Sequence, residues 1–179
     1  MEELRLFIPT TEDEKDIWSF RDEFFGCGET EIAGDGGLDG AMTYSEWLNK
    51  TLLNMNEETV TPGLVPSTLY IARRESDNMV VGIIQIRHYL NDYLLKSGGH
   101  IGYSVRPSER RKGYAKEMLR LALLKCIDLD IERILVTCLT TNEGSRRTII
   151  ANGGILENEL VDENDGKPHQ RYWINNERK

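Results

Sequence analysis

Apolar and polar positions change period several times along the chain, and each change predicts an element. Glu3 to Ile8 alternates like a strand and stops at Pro9. Thr10-Thr11-Glu12-Asp13-Glu14 then offers hydroxyl caps and early acids, after which Ile17, Trp18, Phe20, Phe24 and Phe25 carry a helix. Gly26 to Gly40 is rich in glycine and acid and predicts a mobile loop. Helical spacing resumes over Thr43 to Leu53 through Tyr44, Trp47, Leu48 and Leu52. After a break from Glu57 to Pro66, Ser67–Arg73 and Met79–Tyr89 read as a strand pair joined by Glu75-Ser76-Asp77-Asn78. A second break, Asn91 to Gly99, leads to a short strand at Ile101–Val105. The clearest helix follows, with Ala115, Met118, Leu119, Ala122, Leu123 and Cys126 on one side and Lys116, Glu117, Arg120 and Lys125 on the other. Arg133–Leu139 is a strand, and Asn142-x-x-Ser145 opens a short helix ending at Asn152-Gly153-Gly154. Ile155–Val161 and Gln170–Ile174 are strands around the turn Asn164-Asp165-Gly166. No repeat, heptad or sharp composition boundary divides the pattern, so one α/β domain over residues 1–179 is expected.

Composition narrows the class of partner. With 39% hydrophobic and 29% charged residues the chain has ordinary globular usage. A net charge of −8 argues against nucleic acid, which needs a basic face, and suits a cationic amine weakly; a merely soluble acidic surface is the equal alternative. Cys27, Cys126 and Cys138 have no metal-binding spacing and read as reduced thiols, so no metal is expected. Met1-Glu2-Glu3-Leu4-Arg5 is charged, and no window approaches the ~20 apolar residues of a membrane span. A membrane-free, cytoplasmic location is the expectation.

The chemistry concentrates between Gly98 and Ala115. There a strand runs through Pro107 into a turn, Arg110-Arg111-Lys112-Gly113-Tyr114-Ala115, that opens the long helix. A helix N-terminus has unpaired N–H groups and a positive dipole end. Gly113 and Ala115 lack bulk where a ligand must approach backbone, and Arg110, Arg111 and Lys112 add charge. These features suit a phosphorylated carrier, although each cation also reads as a solvated helix start.

Arg110-x-x-Gly113-x-Ala115 resembles the (Gln/Arg)-x-x-Gly-x-(Gly/Ala) signature of the GNAT superfamily of acyl-CoA-dependent N-acyltransferases. Tyr103-Ser104-Val105-Arg106-Pro107 stands where that family has its preceding strand, and Arg133–Leu139 with Asn142 and Ser145 resembles its next motif. The resemblance covers nearly the whole chain. It implies a central mixed, mostly antiparallel sheet with two splayed parallel strands and helices on both faces. It implies acetyl-CoA as co-substrate, its pantetheine arm against the backbone of Tyr103, Ser104 and Val105. Its pyrophosphate would meet Arg110, Arg111, Lys112, Gly113, Tyr114 and Ala115, with Asn142 and Ser145 nearby. Asn142 and Ser145 also read as a plain helix cap.

The implied reaction is direct attack of a primary amine on the acetyl thioester, which needs a base and help at the carbonyl. The Val105 amide is the candidate for polarising the carbonyl. His100, at the strand start, is the first candidate base, its ordinary pKa being about 6.5. Glu29, Glu31 and Asp35 of the glycine-rich loop are alternatives. Many family members carry a tyrosine where this chain has Ile149, which leaves the protonation of the departing thiolate to Tyr103, Tyr114 or solvent. Cys138 reads as a buried thiol, not a nucleophile. Three functions are compatible: acetylation of a small-molecule amine, acetylation of a protein or peptide amine, or acetyl-CoA sensing without turnover. A homodimer is left open.

Overall fold

The strands form where the sequence alternates. In the computed structural model, which describes residues 2–176, β1 (Leu4–Phe7), β2 (Ser67–Arg74), β3 (Val80–Arg87) and β4 (Ile101–Val105) pair antiparallel in that order. β5 (Arg133–Leu139), β7 (Pro168–Asn175) and β6 (Ile155–Val161) make a second antiparallel sheet in the order β5-β7-β6. Met1 and residues 177–179, the ends of the expected 1–179 domain, lie outside the described residues.

The two sheets meet where β4 and β5 diverge. Here the His100 N–H donates to Leu135 O at 2.7 Å, and the Leu135 N–H donates to His100 Nδ1 at 3.0 Å. Beyond that contact the strands separate, so the expected splay divides the pairing into two sheets. Between them in sequence runs α3 (Tyr114–Asp128), the crossover that parallel neighbours need.

α3 buries Met118, Leu119, Ala122 and Cys126, the stripe its spacing predicts, against Ile84, Ile86, Ile134 and Val136. Its approach is set by Gly82 of β3, where a Cβ would overlap the Met118 side chain. Met118 and Leu119 are fully buried, and truncating either to alanine costs about 2–5 kcal/mol. That packing aims the N-terminus of α3 at the divergence of the strands. On the opposite face, α1 (Glu14–Gly26) and α2 (Tyr44–Leu53) place Ile17, Phe20, Trp47 and Leu48 on Leu69, Ile71 and Ile83. α4 (Glu143–Ile150) is capped by Asn142, whose Oδ1 accepts from Ser145 N at 3.0 Å.

Two segments differ from expectation. The stretch from Gly26 to Gly40 is a packed strap and not a mobile loop. Ile32 and Leu38 are buried in the α1–α2 core, Trp47 Nε1 donates to Asp35 O at 2.8 Å, and Ser104 Oγ donates to Ala33 O at 2.8 Å. Glycine content signals turns, but two anchors six residues apart match no helix or strand period. The break before β4 contains a π-helical turn, Leu94–Gly98, closed by Gly99 N–H to Leu94 O at 2.7 Å. Among the described residues no helix is long and apolar enough to cross a membrane.

Candidate active site

The opening between β4 and β5 is a cavity of about 650 Å³ that runs from the turn before α3 to the N-terminus of α4. Its β4 wall offers unpaired backbone. Arg106 N donates to Val81 O and Arg87 N to His100 O, both at 2.8 Å, which turns the even-numbered residues of β4 toward β3. Alternation then points the N–H groups of Ile101, Tyr103 and Val105 into the opening. A peptide-like ligand satisfies such groups as an added strand would.

The turn at the wide end is shaped for an anion. Gly113 caps α3 at φ 90°, and Arg111 has φ 67°, so two left-handed residues curl the backbone around the cavity end. The first-turn N–H groups of α3 have no intrahelical acceptors and face the same end. Arg111 is exposed there, and Gly113, Tyr114 and Ala115 line the cavity. These features fit the pyrophosphate of the expected carrier.

The other two cations are occupied. Arg110 makes a fork with Glu29, Nη1 to Oε1 at 2.6 Å and Nη2 to Oε2 at 2.8 Å, while its Nε donates to Val105 O at 3.2 Å. The Arg110 guanidinium holds the Glu29 carboxyl below its usual range. Lys112 is absent from the cavity lining and donates to Glu109, a lining residue that also accepts from Arg74. Tyr114 lines the cavity, but its hydroxyl is taken by Arg74 and Glu2.

The strand wall and α4 bring Tyr103 and Ser145 together, with hydroxyls 2.8 Å apart inside the cavity. Burial pushes the Tyr103 hydroxyl up to about 12, so it is protonated at neutral pH. Ile149 is fully buried in the α3-side core. Cys138 lines the opening with its thiol pushed up by burial, which leaves it protonated and a poor nucleophile.

His100 stands apart from this lining. It is buried outside the cavity, and its Nδ1 accepts the Leu135 N–H that joins the two sheets. Burial first, and then the Arg87 charge, hold it down at about 4. A neutral ring already committed to a backbone donor is a structural link, and sequence position alone did not reveal that partner.

A second cavity of about 580 Å³ lies across the strap. The strap crosses β4 at Gly34, whose φ is +74° and whose added Cβ would overlap the Gly102 carbonyl. Ala33 lines the first cavity and Gly34 the second, so this crossing is the partition between them. Asp35, the next residue, is buried in the second cavity wall. Its carboxylate accepts from Gly37 N at 2.8 Å and Asp39 N at 2.7 Å. Burial outweighs those bonds and raises it to about 6. Glu31 lines the first cavity and is exposed.

Comparison with known proteins agrees with this geometry. The family model of the acetyltransferase (GNAT) domain matches residues 36–155. A search of curated protein sequences returns no match. Among solved structures, the chain is similar to the microcin C7 self-immunity acetyltransferase MccE in complex with acetyl-CoA and AMP, at 13% identity and TM-score 0.71 over 98% of this chain and 93% of that one. It is similar to the ribosomal-protein-S5-alanine acetyltransferase of Vibrio fischeri, at 15% identity and TM-score 0.71 over 98% and 94%. Mutant forms of the spermidine/spermine N-acetyltransferase SpeG of Vibrio cholerae share the fold at 13% identity and TM-score 0.66 over 97% and 94%. The family match runs through β4, the turn that caps α3, and α4; the chain therefore belongs to the GNAT acetyltransferase family and is an N-acetyltransferase that draws its acetyl group from acetyl-CoA.

Proposed function

We propose that the chain acetylates the primary amine of a small molecule by direct attack on acetyl-CoA, acting as a single cytoplasmic domain. The observation that carries this reading is the second cavity. At about 580 Å³ it has the size of a small-molecule site, and the pinned strap separates it from the carrier opening. An acidic chain of net charge −8 is a poor match for nucleic acid.

In this reading the turn from Arg111 to Ala115 holds the pyrophosphate, and Arg110 joins it by exchanging Glu29 for phosphate oxygens. Asn142 keeps its amide N–H₂ for the carrier, since only its Oδ1 is spent on capping. Acetyl-CoA supplies the activated acetyl group. The Tyr103 amide is better placed than Val105 to polarise the thioester carbonyl. Val105 lies beside the Arg110 guanidinium at the phosphate end, whereas Tyr103 sits further along β4 toward the strap crossing. Asp35, next to the crossing and poised near 6, takes the proton from the attacking amine.

The Tyr103–Ser145 pair donates a hydrogen bond to the departing sulfur. Complete proton transfer from a hydroxyl near 12 to a thiolate of ordinary pKa about 8.5 is uphill by about 5 kcal/mol. The pair therefore stabilises the thiolate, and the proton released by the amine neutralises it through solvent.

The likeness to a ribosomal-protein-S5-alanine acetyltransferase favours a second reading, in which the acceptor is a protein N-terminus. Calorimetry with coenzyme A and acetyl-CoA, beside thiol release over a panel of small amines and short peptides, tests both. Carrier binding with small-amine-dependent release supports the proposal. Release with peptides alone transfers it to the second reading, and absence of carrier binding overturns both. Asp35→Asn should lower kcat and remove the acidic limb of the rate profile near pH 6.

A further inference from the structure

The fold pairs its deeply set guanidinium groups with carboxylates, with one departure at the second cavity. Arg73 meets Asp13 and Asp16, Arg74 meets Glu109 and Asp77, Arg106 meets Glu23, and Arg171 meets Glu157. Arg87, at the end of β3, reaches only the carbonyls of Gly98 and Gly99, at 3.2 and 3.1 Å from Nη1. No carboxylate is within ion-pair distance of it among the described residues. Desolvation lowers its pKa, and Tyr93 in the same cavity wall offsets that only in part.

The same cavity wall carries a second cation without an ion pair among the described residues, Lys50 of α2. The one carboxylate in that wall is Asp35, already bonded to two backbone N–H groups. Arg87 also stands at the partition. A Cβ built on Gly102 would lie 3.2 Å from Gly34 Cα and 3.9 Å from Arg87 Nη1. The unpaired guanidinium, the strap crossing and the start of β4 thus converge on one point, with Asp35 one residue away along the strap.

We propose that the second cavity selects acceptors that carry a carboxylate as well as the amine, the carboxylate held by Arg87 with Lys50 and the amine presented toward Asp35 and the crossing. The acceptor is then an amino-acid-like zwitterion, not a polyamine. A planar carboxylate matches the guanidinium fork. A phosphonate brings a second negative charge close to Asp35 and is disfavoured. This assignment rests on the acetyl-transfer reading above and names the substrate class of that site.

The test is acetyl transfer to matched amines that differ only in the carboxylate: lysine against cadaverine, phenylalanine against phenethylamine, and glycine against methylamine, with aminomethylphosphonate as the phosphonate arm. The wild-type chain should favour the carboxylate member by about 10–100-fold in kcat/KM, the range of a charge-assisted pair. Arg87→Gln should narrow that ratio to a few-fold, chiefly through KM, and Arg87→Lys should restore part of it. Coenzyme A affinity by calorimetry should be unchanged, which separates lost recognition from lost fold. Lys50→Gln, at an exposed position, supplies a second variant if Arg87→Gln does not fold.

Decarboxylated amines used as well as their partners, or discrimination that survives both variants, overturn the proposal, as does preference for the phosphonate. If coenzyme A binds and no small amine is acetylated, the small-molecule reading fails by itself. Calorimetry with glycine, lysine and phenylalanine then decides the cavity: saturable binding lost in Arg87→Gln sustains it, and no binding overturns it.

Discussion

Tyr103 of β4 and Ser145 of α4 place their hydroxyls 2.8 Å apart across the opening where the two sheets separate. Neither element alone makes this donor pair, and it stands in the cavity while the residue at the family's tyrosine position, Ile149, is buried in the core. Tyr103→Phe should lower kcat by about 10–100-fold with coenzyme A affinity unchanged, the cost of losing one donor to developing charge. Ser145→Ala should cost a similar factor, and the double variant less than the product of the two, because the hydroxyls act as one unit. Single-turnover thioester cleavage reads the effect directly; a wild-type rate in Tyr103→Phe removes the pair from the chemistry.

Glu29 occupies the Arg110 fork that the proposed carrier mode assigns to phosphate oxygens. Both groups are partly exposed, so the pair itself is worth little. Glu29→Gln should therefore tighten coenzyme A binding by up to about fivefold, and Arg110→Ala should weaken it. Calorimetric titration at two salt concentrations checks the sign, since the gain should shrink as screening rises.

Gly34 is irreplaceable for two reasons, its left-handed φ of +74° and the Gly102 carbonyl where a Cβ would lie. Gly34→Ala should cost about 1–3 kcal/mol in denaturant unfolding and raise the acceptor KM more than the coenzyme A dissociation constant. Gly40, where nothing lies within 4 Å, is the control: Gly40→Ala should leave both within a small factor.

His100 should make the fold acid-sensitive. Its folded pKa, about 4, is below the unfolded value of 6.5. Below pH 6.5 the unfolded chain binds a proton that the folded chain refuses until about 4, so stability is full above 6.5 and falls as the pH drops through that window. The loss approaches roughly 3 kcal/mol. Asp35, raised to about 6, has the opposite sign: its contribution is present below its ordinary value of 3.8 and fades as the pH rises through 6. Urea unfolding from pH 7 to 4 should show a shallower slope in His100→Gln than in the wild type. An identical slope removes His100 as the source.

The elements, and the half of the site that local backbone builds, were legible in the residues. Alternation through Ile101–Val105, the stripe from Ala115 to Cys126, and the Arg110-x-x-Gly113-x-Ala115 turn are short-range patterns, and their geometry follows from period, φ preference and helix-end donors. By themselves they point to a phosphorylated carrier, and the family resemblance they carry implies acetyl-CoA. The strap is not legible locally, because Ile32 and Leu38 belong to no period and its backbone is anchored at Ala33 and Asp35 by Ser104 and Trp47 from other elements.

Which titratable groups face the cavities was settled only by folding. His100 and Asp35 both looked like bases in the sequence; burial and a Leu135 donor commit one to joining the sheets, while burial tunes the other toward neutrality. Arg87 carried no motif and gained its meaning from what is missing around it. A protonation state or an ion pair depends on neighbours brought together over tens of residues. Sequence alone determined the strands, the helices and the turn that caps α3, because each is a contact between near neighbours. Tertiary structure decided the Tyr103–Ser145 hydroxyl pair, the partition at Gly34 and the guanidinium without a carboxylate partner, because each depends on distance, burial and charge summed over the whole fold.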